Sequence, residues 1–286
     1  MSKIQIQGLL FSIIAISVGL LSTLLESTSS TLSLLILTIL IFFLGIPHGA
    51  LDPAFAQKLL FLKSGKQWLV FVVLYIALSA AVVCIWWQLP LFFMGSFLLC
   101  SVLHFSRDLN DELPKLSRLL YGGSMIVLPT LFHFSKMQDL FSVILNESAG
   151  LQITSFLHLM AWPWLIASLI SIYLEFVKEW LVGLEILALA LLSTLAPPLV
   201  SFTVYFCGMH SLRHILRTKD YTKMGFIRLG LISLAPMAGV ILIAVLAWLY
   251  LPQLSDYERL LRFVFVGLAA LTVPHMLLID RVRYQA

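Results

Sequence analysis

Charge is what this sequence has least of. Only 11% of its 286 residues are Asp, Glu, Lys or Arg, against about a quarter in soluble domains, which excludes a water-soluble globule. The same scarcity excludes a disordered chain, which combines charge with low hydrophobicity, and a nucleic-acid binder, which needs a basic face. Cysteine is scarce too. Cys84, Cys100 and Cys207 stand singly in apolar runs with no CxxC spacing, which argues against a disulfide framework or a thiolate metal site. Internal repeats and low-complexity tracts are also missing, so neither a solenoid nor a long linker is expected.

Hydrophobic residues are abundant instead, at 60% of the chain, with a mean hydropathy of +1.01. These values predict an all-α, polytopic integral membrane bundle in which residues 1–286 form a single transmembrane domain. A crossing needs about 20 mostly apolar residues. Ten such runs can be marked, at 8–25, 31–48, 68–88, 91–107, 118–134, 153–174, 180–196, 198–217, 229–251 and 260–280. Prolines separate two close pairs, at Gln88-Leu89-Pro90 and at Ala196-Pro197-Pro198. Lys3 ahead of an apolar core resembles a signal peptide, but no small-residue cleavage site follows, so it reads as an uncleaved first span.

The cations test the count. With ten alternating spans, only Lys136, Arg259 and Arg262 of the 18 Lys and Arg fall on one side. The positive-inside rule makes that side the outer one and places both termini in the cytoplasm.

This topology sorts the seven histidines. His48, His104, His210, His214 and His275 fall near the cytoplasmic ends of four even-numbered spans, whereas His133 and His158 fall near the outer face. Ionisable groups inside a membrane usually face the bundle interior and mark a functional site. His210 and His214 are four residues apart, one helical turn, which lets two imidazoles reach one metal ion. His133 and His158 are expected to pack or hydrogen-bond at the interface.

Four carboxylates follow the same bias. Asp52 and Asp108 come four residues after His48 and His104, Asp280 comes five after His275, and Glu185 is embedded in its span. Each is a candidate to accept the second ring N–H of a ligand histidine and so to fix its tautomer. The plainer alternative makes Asp52, Asp108 and Asp280 interfacial decoration beside Arg107 and Arg281. Arg213, between His210 and His214, is expected to snorkel or to pair with a carboxylate. An all-imidazole site suits iron, zinc, copper or nickel, and spacing does not choose among them.

These residues carry a resemblance. Gly45-Ile46-Pro47-His48-Gly49-Ala50-Leu51-Asp52, His104-Phe105, His210-Ser211-Leu212-Arg213-His214 and Pro274-His275 through Asp280 are similar, over nearly the whole chain, to the bacteriorhodopsin-related-protein (Brp/Blh) family of membrane β-carotene 15,15′-dioxygenases. The resemblance implies one transmembrane catalytic domain holding ferrous iron, Fe(2+), on His48, His104, His210 and His214, which are then both metal and catalytic residues. His275 matches a further motif histidine. The implied partners are β-carotene, dioxygen and the lipid bilayer, without nucleic acid, and the implied products are two molecules of all-trans-retinal, available for handover to a rhodopsin-type protein. The implied setting is multi-pass in a bacterial or archaeal inner membrane, with the metal toward the cytoplasm. No substrate-binding residue can be singled out.

Three rivals are weighed beside this reading. A di-iron lipid oxidase needs more histidine boxes than the one present. A bis-histidine haem protein needs facing histidine pairs. A metal-ion transporter needs a polar path through an outer half that is here almost wholly apolar.

Overall fold

The computed structural model describes residues 1–22, 30–250 and 253–283, with side chains described at all of these except residues 30–33, 36, 48, 250, 280, 282 and 283. Among the described residues the chain is helical and has no strand. Its α-helices are α1 (Lys3–Ser22), α2 (Ser30–Leu40), α3 (Asp52–Leu59), α4 (Gly65–Gln88), α5 (Pro90–Phe105), α6 (Lys115–Val127), α7 (Phe134–Ile144), α8 (Glu147–Lys178), α9 (Trp180–Leu195), α10 (Pro198–Tyr205), α11 (Leu212–Thr222), α12 (Phe226–Tyr250) and α13 (Asp256–Arg283).

Local chemistry explains the boundaries. Ser64 and Gln67 form a reciprocal capping box that opens α4, satisfying two amide donors that the first turn would otherwise leave exposed. Pro90 and Pro198 stand at the first positions of α5 and α10, where the missing N–H costs nothing. Pro163, Pro236 and Pro274 lie inside α8, α12 and α13, as helices in an apolar setting tolerate.

The ten apolar runs each overlap a helical stretch, but they are not equal as crossings. Among the described residues six stretches are long and apolar enough to cross a membrane: Lys3–Ser22, Leu37–Leu59, Gly65–Gln88, Glu147–Lys178, Phe226–Leu249 and Asp256–Ile279. The helices over 91–107 and 180–196 are apolar but shorter. The run at 118–134 breaks into a 3-10 turn, Leu128–Leu131, beside Pro129. The run at 198–217 contains a π-helical turn, Phe206–Ser211. The second crossing shifts toward the C-terminus because the helical path does not stop at Pro47. It passes through a π turn, Ile41–Gly45, and a 3-10 turn, Ile46–Leu51, directly into α3. Helix α7 was not expected from hydropathy, since Lys136, Gln138 and Asp139 interrupt its apolar residues.

Among the described residues two large cores hold the bundle, with two small clusters around α3. One joins α1, α9, α10 and the π turn after it through Ala15, Ile186, Leu189, Leu192, Tyr205 and Met209. The other joins α5, α7 and α13 through residues such as Phe93, Met94, Met137, Phe141 and Leu261. α4 buries no residue at all and α12 almost none, the pattern of helices whose outer faces meet lipid.

Candidate metal centre and its cavity

The histidines sit at the irregular turns. A π turn adds one residue to a helical turn and re-aims the side chains on it, a feature common at functional sites. His210 lies within the π turn Phe206–Ser211 and His214 in α11 just beyond it. The two irregular regions are tied by the Ser211 hydroxyl, which donates to the Gly45 carbonyl at 3.1 Å. His104 ends α5, and His275 follows Pro274 in α13.

The fold brings four of the five inner histidines together. Ring centroids are 4.6 Å apart for His104 and His210, 5.3 Å for His104 and His275, and 5.1 Å for His214 and His275. His104, His210 and His275 are buried. His48 is part of the 3-10 turn Ile46–Leu51; its side chain lies outside the described residues, as does that of Asp280. His133 and His158 stand apart from this group. Their ring nitrogens bond the carbonyls of Leu195 at 3.1 Å and Thr130 at 2.9 Å.

Asp52 and Asp108 each bind a histidine far away in the sequence. Nδ1 of His275 donates to Asp52 Oδ1 at 2.7 Å, and Nδ1 of His210 donates to Asp108 at 3.0 and 3.1 Å. The chain leaves regular α-helix near both carboxylates. Asp52 opens α3 after a 3-10 turn, and Asp108 lies in the turn beyond the end of α5. A carboxylate can only accept, so in a neutral ring Nδ1 carries the proton and Nε2 keeps the lone pair.

Two tyrosines complete the arrangement. Tyr75 donates to Asp52 Oδ2 at 2.8 Å, and Tyr205 donates to Asp108 Oδ2 at 2.6 Å. The site therefore contains two Tyr–Asp–His units built from different helices. Sequence reasoning missed both tyrosines, because a phenol in an apolar run reads equally well as core or as interfacial belt.

Glu185 does not meet a histidine. It binds Arg213 through two bonds of 2.9 Å, and both residues are buried. Arg213 thus takes the carboxylate partner rather than snorkelling. Its Nε also donates to Gln7 Oε1 at 2.8 Å and its Nη1 to the Asp108 carbonyl at 2.9 Å. Arg217 donates to the carbonyls of Arg107 at 2.7 Å and Asp108 at 2.9 Å. The two guanidiniums fix the turn that carries Asp108. α1 can approach this pair because residue 8 is glycine; a Cβ there would collide with Glu185 Oε1.

His104, His210 and His275 open onto a cavity of about 610 Å³, a size suited to a small-molecule ligand. Beyond Asp52, Tyr75 and the histidines its walls are almost entirely apolar, with Phe97, Ile126, Leu199 and Phe265 among them. Among the described residues no three His, Cys, Asp or Glu are gathered closely enough to hold a metal ion as they stand. Ring spacing and proton placement, rather than a finished set of donors, are what point to a metal.

Fold and site together define a class: an all-helical protein rich in apolar helices, with a carboxylate-oriented histidine cluster on the wall of an apolar cavity. Comparison with known proteins narrows this. The family described as "Beta-carotene 15,15'-dioxygenase" matches residues 39–282. A protein of an uncultured marine bacterium (66A03) named "Beta-carotene 15,15'-dioxygenase" is 31% identical over 250 residues, covering 84% of this chain and 90% of its relative. The chain belongs to the β-carotene 15,15′-dioxygenase family. No solved structure matches it.

Proposed function

We propose that this chain is a membrane-embedded, non-haem iron(II) dioxygenase that opens the central 15,15′ double bond of β-carotene to give two molecules of all-trans-retinal. Family membership supports the reaction. In it the carbon–carbon double bond and the oxygen–oxygen bond both break, and each oxygen atom becomes the carbonyl of one retinal. No outside reductant and no proton donor is consumed.

The observation that carries the metal reading is the pair of Nδ1–carboxylate bonds at His210 and His275. Such bonds orient a ligand histidine and raise its basicity. Ring spacing fits as well. A ring nitrogen binds a divalent ion at about 2.1 Å, which puts two ligand centroids about 4.5–5.2 Å apart for inter-ligand angles between right and tetrahedral. The centroid separations here are 4.6–5.3 Å. His48, His104, His210 and His214 would hold the ion, with His275 beside them. Ferrous iron bound there would supply the activation of dioxygen.

The protein's own share is orientation and exclusion. Asp52 and Asp108 keep the imidazoles in one tautomer, and the apolar walls keep water away and align the polyene. No side chain is required as general acid or base. The apolar walls also disfavour ion transport, which needs polar groups along a path. We place the protein across the cell membrane with its histidines toward the cytoplasm, where retinal would be released to an acceptor.

The direct test is expression in a carotene-accumulating bacterial host followed by pigment extraction. Bleaching with accumulation of retinal is expected. A host that stays orange, with the chain folded in its membrane and iron supplied, would defeat this reading.

A further inference from the structure

The cavity has one closed end and one open side. The open side lies between α4 and α12, where the lining residues Val72, Ile76 and Ile243 are 45%, 60% and 63% exposed. At the closed end Phe93, Met94, Phe141 and Ile144 are all buried. A long apolar substrate therefore has a lateral way in from the bilayer and a blind arm ahead of it.

The closed end is built by α7, an amphipathic helix that lies beyond the apolar run ending at Phe134. Its last carbonyls are held from both sides: Trp86 Nε1 donates to the Ile144 carbonyl at 2.9 Å, and Arg262 Nε donates to the Val143 carbonyl at 2.8 Å. These bonds anchor α7 to the last turn of α4 and the second turn of α13. Phe93 and Phe97 stack on the α5 side, with centroids 6.2 Å apart. The wall is packed and tethered.

Its distance from the histidines is informative. The rise along α5 from Phe93 to His104, both of which line the cavity, is about 16 Å at 1.5 Å per residue. An extended carbon chain advances about 1.2 Å per bond, so half of β-carotene, from the central bond to the far edge of its ring, measures about 15 Å. The arm offers no polar handle at its closed end, so a chain sliding into it can be positioned only by a steric stop.

We propose that α7 and Phe93 form that stop: the arm takes one half of the carotenoid, and its length selects the double bond that lies at the histidines. This rests on the oxygenase reading above and adds to it the residues that set regiospecificity. Ile144 and Phe93 are specificity-determining residues on opposite sides of the same wall.

The test is product analysis of purified Ile144→Ala and Phe93→Ala protein given β-carotene. A deeper arm lets the chain slide by one double bond, so off-centre apocarotenals should appear as a tenth or more of the product. Iron-stripped protein gives a second readout, tryptophan quenching by a carotenoid lengthened by one double bond in each half. The wild-type chain should bind it at least tenfold more weakly than β-carotene, and Ile144→Ala should close most of that gap. Retinal as sole product from both active variants, with no change in the affinity ratio, would overturn the proposal. So would loss of cleavage in both variants at wild-type protein levels, because a longer arm still admits the chain. A wild-type chain that binds carotene but never cleaves it would instead defeat the oxygenase reading, and the binding ratio would still report on the stop.

Discussion

The two Tyr–Asp–His units share one chemistry but occupy very different ground. Tyr205, Asp108 and His210 lie in the densest part of the molecule. Tyr205 is wholly buried, with its ring edge-on to Phe105 at 5.1 Å and to Tyr121 at 6.1 Å. The turn bearing Asp108 is clamped by Arg213 and Arg217. Tyr75, Asp52 and His275 form the other unit on the side of α4, which buries nothing, and Tyr75 and Asp52 themselves line the cavity. One unit is braced by the core and reaches the cavity only through His210, whereas all three residues of the other form part of the cavity wall. In both units the carboxylate and the imidazole are themselves buried, so what differs is the setting of the tyrosine.

The largest effects should come from breaking each unit at its histidine. His210→Ala should remove most of the iron, read by metal analysis of purified protein, and abolish cleavage, and His275→Ala should lower the iron content less. Equal loss at both positions would make His275 a ligand in full. Retained iron in His275→Ala would leave the second unit with a substrate-facing role. Next come the carboxylates. Asp108→Asn and Asp52→Asn should each lower iron affinity by about 10–100-fold, the usual cost of a lost outer partner. An unchanged affinity at either position would return that aspartate to a purely structural role.

The clamp should separate the units most sharply. Glu185→Gln leaves Arg213 buried without its carboxylate, a change that costs about 3–5 kcal/mol. Thermal unfolding in detergent should show it, and Glu185→Leu combined with Arg213→Met should recover part of the loss. An unfolding temperature unaltered by Glu185→Gln would mean that the clamp does not hold the core-side unit.

Much of this arrangement was legible in the sequence, and the remainder has physical reasons for being hidden. The helix breaks at Pro90 and Pro198 are local events, and proline announces them. The inner histidines could be grouped because topology gives each residue a depth. The pairings could not, because Asp52 and His275 are 223 positions apart and Asp108 and His210 are 102 apart. Helix type also changes at Ile41–Leu51 and at Phe206–Ser211, and no local pattern announces such turns. Glu185 looked like a histidine partner because it was embedded, but an embedded arginine competes for the same carboxylate more strongly than a neutral imidazole does. α7 was missed because its polar residues sit on one face of a short amphipathic helix, which lowers the average that a hydropathy reading depends on.

The tyrosines should give a smaller and graded contrast. Tyr205→Phe removes a buried hydrogen bond to a carboxylate, a loss of about 1.5–3 kcal/mol. Tyr75→Phe should cost less, because Tyr75 is only half-buried whereas Tyr205 is wholly buried. Stability and iron affinity measured side by side would rank the two, and a costlier Tyr75→Phe would reverse the view that the core braces only one unit.

The smallest effect is expected at the outer histidines. His133 and His158 each donate a single bond to a backbone carbonyl, His133 to Leu195 and His158 to Thr130 in the 3-10 turn that follows α6, and neither is among the residues lining the cavity. Replacing either by alanine deletes one side-chain bond, worth about 1 kcal/mol, and for His158 also its edge contact with Phe134 at 5.3 Å. Iron content and product identity should match the unaltered chain while the unfolding temperature falls by a few degrees, a shift of the size that ~1 kcal/mol gives in a chain of this length. A loss of iron in His133→Ala or His158→Ala comparable to that in His210→Ala would show that distance from the ring cluster does not decide which histidines hold the metal.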